Sequence, residues 1–184
     1  LRNSMLSMSL DDAQQELNQA ALHDPLTRLP NRLLLQRHIV QALAAAERDG
    51  SRFAVMFMDL DGFKQVNDAH GHQAGDALLV AVAERTRQLL RPNDLLARLG
   101  GDEFVLVVRI EHDEDLPTLA RRILQAVGSG QLLPDSELQV TASIGVAICP
   151  DHAASERQLM AFADAAMYEA KESGRNAFVL FADG

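Results

Sequence analysis

Of the chain's 184 residues, one is cysteine, one is tyrosine and none is tryptophan. A single thiol, Cys149, excludes any disulfide within the chain and suits a reducing compartment. It follows Ile148 in an apolar run with no base beside it, which makes it a small core residue rather than a nucleophile. Aromatic side chains make up 4% of the sequence, leaving few platforms on which nucleic-acid bases could stack. Basic residues are also scarce, with 17 Lys and Arg against 26 Asp and Glu for a formal net charge of -9. That balance argues against broad binding to nucleic acid or anionic lipid, and it admits a nucleotide only where a metal and a few placed cations hold it. No apolar run approaches the roughly 20 residues needed to cross a bilayer, and no secretory leader pattern opens the chain. The expected location is the cytoplasm, either free or as the cytoplasmic part of a larger membrane-bound protein, with no membrane contact by this segment. The first residue is Leu rather than Met, as expected of a segment excised from a longer chain.

What is present is a domain of ordinary size, 47% hydrophobic, able to bury roughly 70% of its unfolded surface around one core. Its most informative stretch is Arg98-Leu99-Gly100-Gly101-Asp102-Glu103-Phe104. Strand-like runs flank it, Asp94 to Leu99 and Glu103 to Val108, and the Gly-Gly pair suits the positive φ angles of a two-residue hairpin turn. Asp102 and Glu103 are then expected just past the turn. Acids at a hairpin tip also serve solubility, and this stretch alone leaves both roles open. A second acidic cluster bears on the choice. Phe53 to Met58 is a continuous apolar run, the pattern of a strand buried on both faces, and it ends in Asp59-Leu60-Asp61-Gly62. Ligands collect at such strand ends in open α/β sheets. With the hairpin beside this strand, Asp59 and Asp102 pair as oxygen ligands for a hard divalent cation that takes further oxygens from phosphate.

Residues 1–22 carry Leu6, Leu10, Ala13, Leu17 and Ala20 at alternating four- and three-residue steps, the a/d stripe of a helix. Two uses are open, an amphipathic helix packed on its own domain or a signalling linker from an upstream sensor to the domain at 23–184. Asp24-Pro25 ends this helix, and Asn31 N-caps the next, which runs to about Arg48. After the apolar strand, a loop Gly71 to Asp76 leads into a helix reaching about Leu90. His70 and His72 lack the further Cys or His spacing of a zinc site and are expected to be structural or solvent-facing. The hairpin follows, then a helix from Leu116 to about Val127, a strand from Leu138 to Ile148, a helix from about Glu156 to Glu172 and a last strand from Ala177 to Phe181. This order predicts an α/β sandwich, helices flanking one central mixed sheet, with the N-terminal linker helix outside it.

Taken together, these segments are identifiable. Gly100-Gly101-Asp102-Glu103-Phe104 and Asp59-Leu60-Asp61-Gly62-Phe63-Lys64 are joined by Asp24-Pro25-Leu26-Thr27, Asn67-Asp68, Gly71-His72, Gly75-Asp76, Ala142-Ser143-Ile144-Gly145, Ala163-Asp164-Ala165-Ala166-Met167-Tyr168 and Gly174-Arg175-Asn176. The ordered series resembles the GGDEF-domain family of diguanylate cyclases over about Asp24 to Phe181. Thr27-Arg28-Leu29 departs from the family's usual Thr-Gly-Leu.

The resemblance implies a palm-like sheet and the condensation of two GTP into cyclic di-GMP and two pyrophosphates, each 3′-hydroxyl attacking the other nucleotide's α-phosphate. It implies two Mg2+ or Mn2+ ions per half-site, held by Asp59, the carbonyl of Leu60 and Asp102, with Glu103 as the neighbouring acid. Whether Asp102, Glu103 or a metal-bound water takes the hydroxyl proton stays open. Asn67 and Asp76 are implied in guanine recognition, where an amide and a carboxylate suit the donors and acceptor of that base; otherwise they are a loop polar residue and a helix-start charge. Lys64, Lys171 and Arg175 match phosphate-contacting positions. On a helix Lys171 and Arg175 stand i, i+4 on one side; the bland alternative is a solvated basic helix end. Arg91-Pro92-Asn93-Asp94 matches an inhibitory site for the cyclic di-GMP product, with Arg122 a further ligand, though an Arg and an Asp at this spacing also make an ordinary loop salt bridge. One chain is expected to hold one GTP, so catalysis implies a homodimer. The alternatives are a non-catalytic module of this fold that binds GTP or cyclic di-GMP and regulates a fused partner, and a nucleic-acid polymerase palm, which the acidic surface opposes.

Overall fold

A computed structural model of the chain describes residues 2–130, 132–134 and 136–182, with side chains from residue 9 onward. Its elements are α1 (Arg2–Leu22), α2 (Arg32–Asp49), β1 (Arg52–Asp61), α3 (Phe63–His70), α4 (His72–Arg87), β2 (Leu95–Gly100), β3 (Glu103–Ile110), α5 (Asp115–Gly128), β4 (Thr141–Cys149), α6 (Glu156–Glu172) and β5 (Ala177–Leu180).

The apolar run Phe53 to Met58 is buried throughout, and its strand sits at the centre of a five-stranded sheet ordered β2-β3-β1-β4-β5. β1 pairs antiparallel with β3 and β4, β2 with β3 likewise, and β4 runs parallel to β5, so the sheet is mixed. Successive side chains of β1 point to opposite faces. Ala54, Met56, Met58 and Leu60 pack with Leu78, Leu79 and Val82 of α4 and Ile123 of α5, whereas Phe53, Val55 and Phe57 pack with Leu35 and Ile39 of α2 and Leu159 and Met167 of α6. The expected central mixed sheet flanked by helices is therefore present. Helix α6 lies unusually close to β4: a Cβ at Gly145 would collide with backbone atoms of Ala163 and Met167, so only glycine permits the approach.

Asn31 caps α2 as expected, accepting the Leu34 N–H at 3.2 Å, and Gly50 closes the helix in the left-handed conformation. Three of the boundaries that differ from the sequence reading matter most to the fold. β1 continues to Asp61, because its last three residues pair with Ala142 and Thr141 of β4 and Glu103 of β3. The expected loop at Gly71 to Asp76 is helical: α4 starts at His72, and the eight-residue α3 precedes it, the two separated by Gly71 at φ 89. A helix that short shows too few turns for its period to be read. The third difference is at β4, which starts at Thr141 rather than Leu138.

The described part of the α1 stripe does not pack on the domain, since Leu10 and Leu17 are each 69% exposed and Ala13 and Ala20 are exposed as well. Leu6 lies outside the described side chains. Among the described residues, no helix is long and apolar enough to cross a membrane.

Candidate active site

The sheet register brings the two acidic clusters together. Asp59 of β1 stands opposite Glu103 of β3 and opposite Ser143 of β4, and Asp102 immediately precedes Glu103. The hairpin turn sits one residue later than its Gly-Gly pair suggests. Gly100 pairs with Glu103, a register shift falls between Arg98 and Gly100, and the two turn residues are Gly101 and Asp102. Asp102 is thus part of the turn itself, with Gly101 supplying a φ of 49.

Arg98 fixes that turn. Its Nε and Nη2 donate to the Gly101 carbonyl at 3.0 and 2.8 Å, and its Nη1 donates to Asp24 Oδ1 at 2.8 Å. Asp24 Oδ2 in turn accepts the Thr27 N–H and hydroxyl, both at 2.8 Å. Burial works against the Asp24 carboxylate, but the hydrogen bonds from Thr27 and Arg98 outweigh it and lower its pKa. The neighbouring Arg28 adopts φ 64, the left-handed region, which gives a physical reason for the glycine usual at this position.

Within this frame the acids face one another. Asp59 has a side chain 15% exposed; its Oδ2 accepts from Lys171 Nζ at 2.6 Å, and its Oδ1 is buried without a donor among the described residues. The carboxyl of Asp102 is pushed up to about 7, first by burial and then by the hydrogen bond that its protonated form makes to Asp59 and by that residue's negative charge, against the opposing pull of Lys171. Two ionised carboxylates are acceptors only, so one proton or one cation is needed to satisfy the pair. Two facing carboxylates are the kind of donor a hard divalent ion takes. Among the described residues no three His, Cys, Asp or Glu side chains converge as a metal cage, and His70 and His72 are exposed. An ion here would therefore draw its remaining oxygens from water and from a ligand.

The other candidate residues are distributed around this centre. Asn67 lies on α3 and Asp76 on α4, rather than in a loop. A Cβ at Gly75 would collide with Asn67 Oδ1, an atom that is buried and has no partner among the described residues, so the two helices place Asn67 against the backbone next to Asp76. Lys64, Asp76, Glu103 and Arg175 are exposed. Lys171 reaches Asp59 from the last turn of α6, but Arg175 lies past the end of that helix at φ 64, so the expected helical i, i+4 pairing does not form. Arg91, Asp94 and Arg122 line one hollow together with Leu89, Val108 and Thr118, away from the paired acids. Asp24, Asp61 and Arg98 are not among the sequence candidates, because the contacts that reveal their roles, Arg98 with Asp24 and Asp61 with Thr141, Ser143 and Asn176, join residues 74 to 115 apart; acids at a strand end are the available signal for Asp61.

Comparison with known proteins places this geometry. The sequence profile of the family described as "Diguanylate cyclase, GGDEF domain" matches residues 21–177. The bifunctional diguanylate cyclase/cyclic di-GMP phosphodiesterase MucR of Pseudomonas aeruginosa is 50% identical over 180 residues, which cover 98% of this chain and 26% of MucR. The chain spans 26% of MucR, 39% of TpbB and 15% of DgcE from Escherichia coli, well under half of each of these curated relatives. The solved GGDEF domain of TpbB from Pseudomonas aeruginosa is similar at TM-score 0.83 and 40% identity, over 87% of this chain and 94% of that one. The coiled coil and GGDEF domain of DgcB from Caulobacter crescentus, solved in complex with c-di-GMP, is similar at TM-score 0.88 and 29% identity, over 97% of this chain and 95% of that one.

Proposed function

The chain belongs to the GGDEF-domain family of diguanylate cyclases, and from that membership and the paired acids we propose that it condenses two GTP into cyclic di-GMP and two pyrophosphates. The observation that carries the proposal is the meeting of Asp59 and Asp102, one with a buried oxygen lacking a donor and the other with a raised pKa, beside the Lys171 ammonium. Asp59, the Leu60 carbonyl and Asp102 would hold two Mg2+ or Mn2+ ions per half-site, which when bound neutralise charge on the attacking and leaving oxygens of an in-line displacement. Lys64, Lys171 and Arg175 hold the phosphates, and positioning with charge compensation supplies most of what phosphoryl-type chemistry needs. Asn67 and Asp76 hold guanine, whose N–H donors match the unpartnered Asn67 Oδ1 and the Asp76 carboxylate. Asp102 and Glu103 are the side chains proposed to accept the 3′-hydroxyl proton, with water at the metal site as the alternative acceptor.

One chain offers one such set of residues, so the two nucleotides are brought together by a homodimer. The free stripe of α1 supports this, since Leu10 and Leu17 have no partner surface within the domain's described residues. The hollow of Arg91, Asp94 and Arg122 takes the cyclic di-GMP product and slows turnover. The segment acts in the cytoplasm, downstream of a fused sensor.

Incubation of the chain with GTP and Mg2+ at high protein concentration, followed by chromatographic separation of nucleotides, tests the activity. Cyclic di-GMP and pyrophosphate are expected. Formation of neither supports instead a regulatory module that binds GTP or cyclic di-GMP without turnover; the observation that favours keeping that reading is that NbdA of Pseudomonas aeruginosa, 38% identical over 95% of this chain, is named as a cyclic di-GMP phosphodiesterase alone.

A further inference from the structure

Asp61 ends β1 two residues beyond Asp59, and none of the chemistry above uses it. It is 8% exposed, and its carboxylate is fully engaged by three donors. Ser143 Oγ donates to Oδ1 at 2.8 Å, while Thr141 Oγ1 and the Asn176 N–H donate to Oδ2 at 2.7 and 3.1 Å. The hydroxyls come from the neighbouring strand β4. The third donor comes from the link between α6 and β5, where Gly174, Arg175 and Asn176 have successive φ values of 117, 64 and 48. Two consecutive non-glycine residues in the left-handed region persist only where their surroundings hold them. The hydrogen bonds that do so are the Asn176 N–H to Asp61 and the Arg175 N–H to the Ala170 carbonyl, the latter at 3.0 Å. A buried carboxylate is itself costly, and it is retained here with hydrogen bonds in place of a cation.

We propose that Asp61 is a positioning residue: it hooks the left-handed Gly174-Arg175-Asn176 link onto the end of β1 and thereby sets where the Arg175 guanidinium stands relative to Asp59. The strand that carries the Asp59 carboxylate also carries the anchor for the arginine, so the two are held in one frame only two residues apart. Because Asp59 and Asp61 share a face of β1, α6 approaches both at once, Lys171 reaching the first and the link beyond the helix reaching the second. The inference rests on the phosphate role proposed above for Arg175.

Isothermal titration of the full chain with a non-hydrolysable GTP analogue and Mg2+ tests it. Asp61→Ala is expected to weaken binding about tenfold, the scale of one charge-assisted contact. Asp61→Asn is expected to restore most of the affinity, because its amide oxygen still accepts the Asn176 N–H and the Thr141 and Ser143 hydroxyls can rotate to suit. Arg175→Ala should show a similar loss, and the double variant Asp61→Ala/Arg175→Ala should bind no worse than Arg175→Ala alone, the non-additivity expected of residues acting as one unit. Additive losses overturn the positioning role while leaving the phosphate role of Arg175 in place, and so does wild-type affinity in Asp61→Ala. Unchanged affinity in Arg175→Ala overturns the phosphate role and this inference with it. Should Asp61→Ala not fold, Asp61→Ser replaces it: the hydroxyl keeps a partner for Thr141 or Ser143 but is too short for the Asn176 N–H, and the same loss is expected.

Discussion

Asp59 and Asp94 are both largely buried acids next to a cation, yet one is complete and the other is not. The Asp94 side chain is 3% exposed and has donors on both oxygens: the Arg91 N–H at 3.1 Å and Arg91 Nε at 3.3 Å on one, the Arg109 N–H at 3.2 Å on the other. It braces its loop against β3. Asp59 has Lys171 on one oxygen, no donor on the other, and a second carboxyl facing it. An unsatisfied buried acceptor costs about 1–3 kcal/mol, so once Asp102 has lost its proton the domain keeps at Asp59 a deficit that a bound cation would remove. The contrast separates a carboxylate with both oxygens engaged from one with an acceptor left over.

The largest expected effect breaks the contrast at Asp59. Asp59→Ala and Asp102→Ala should each lower cyclic di-GMP formation by at least about 10²–10³-fold, the scale of losing one preorganised electrostatic contact, while the thermal midpoint by circular dichroism is kept or rises. Retained turnover in either variant would count against the metal assignment. Asp94→Ala should do the reverse. Loss of an acceptor for three donors is expected to cost about 1–3 kcal/mol in urea unfolding with the initial turnover rate kept, and unchanged stability would show that Asp94 is not a brace.

A smaller effect sharpens the comparison through pH. With Asp102 raised from its ordinary 3.8 to about 7, the folded state keeps a proton that the unfolded chain has already lost. The stability this proton contributes to the metal-free domain is fully present below about pH 4 and is lost as pH rises through about 7. Melting curves without metal should therefore show a decline over that window that is absent in Asp102→Asn, and an equal decline in the variant would place its origin elsewhere. The subtlest effect concerns the hollow. Arg91→Ala should leave the initial rate unchanged and relieve the late slowing of progress curves as product accumulates; unaltered late slowing would reject an inhibitory site there.

These differences also mark what could be read from sequence. The buried strand, the hairpin and α6 were legible because an unbroken apolar run, a Gly-Gly pair between strand-like runs and a long helical stretch each write their period or turn chemistry locally. The pairing of Asp59 with the hairpin acids followed from the ends of those elements. What escaped was set by tertiary context. The short helix α3 has too few turns to show a period, and the irregularity between Arg98 and Gly100 moves the turn by one residue, placing Asp102 within it. The Arg98 clamp joins residues 74 apart and the Asp61 to Asn176 hook residues 115 apart, separations that no local pattern signals. Arg175 was expected to share a helix face with Lys171, but the left-handed link takes it off the helix.

The central claim, that Asp59 and Asp102 jointly hold divalent cations beneath a guanosine triphosphate, is tested most directly by the Mg2+ dependence of affinity for a non-hydrolysable GTP analogue. Mg2+ should strengthen binding to the wild-type chain by at least about tenfold, equivalent to about 1.4 kcal/mol, and should leave Asp59→Ala and Asp102→Ala unmoved. The same Mg2+ dependence in either variant as in the wild type would contradict the account.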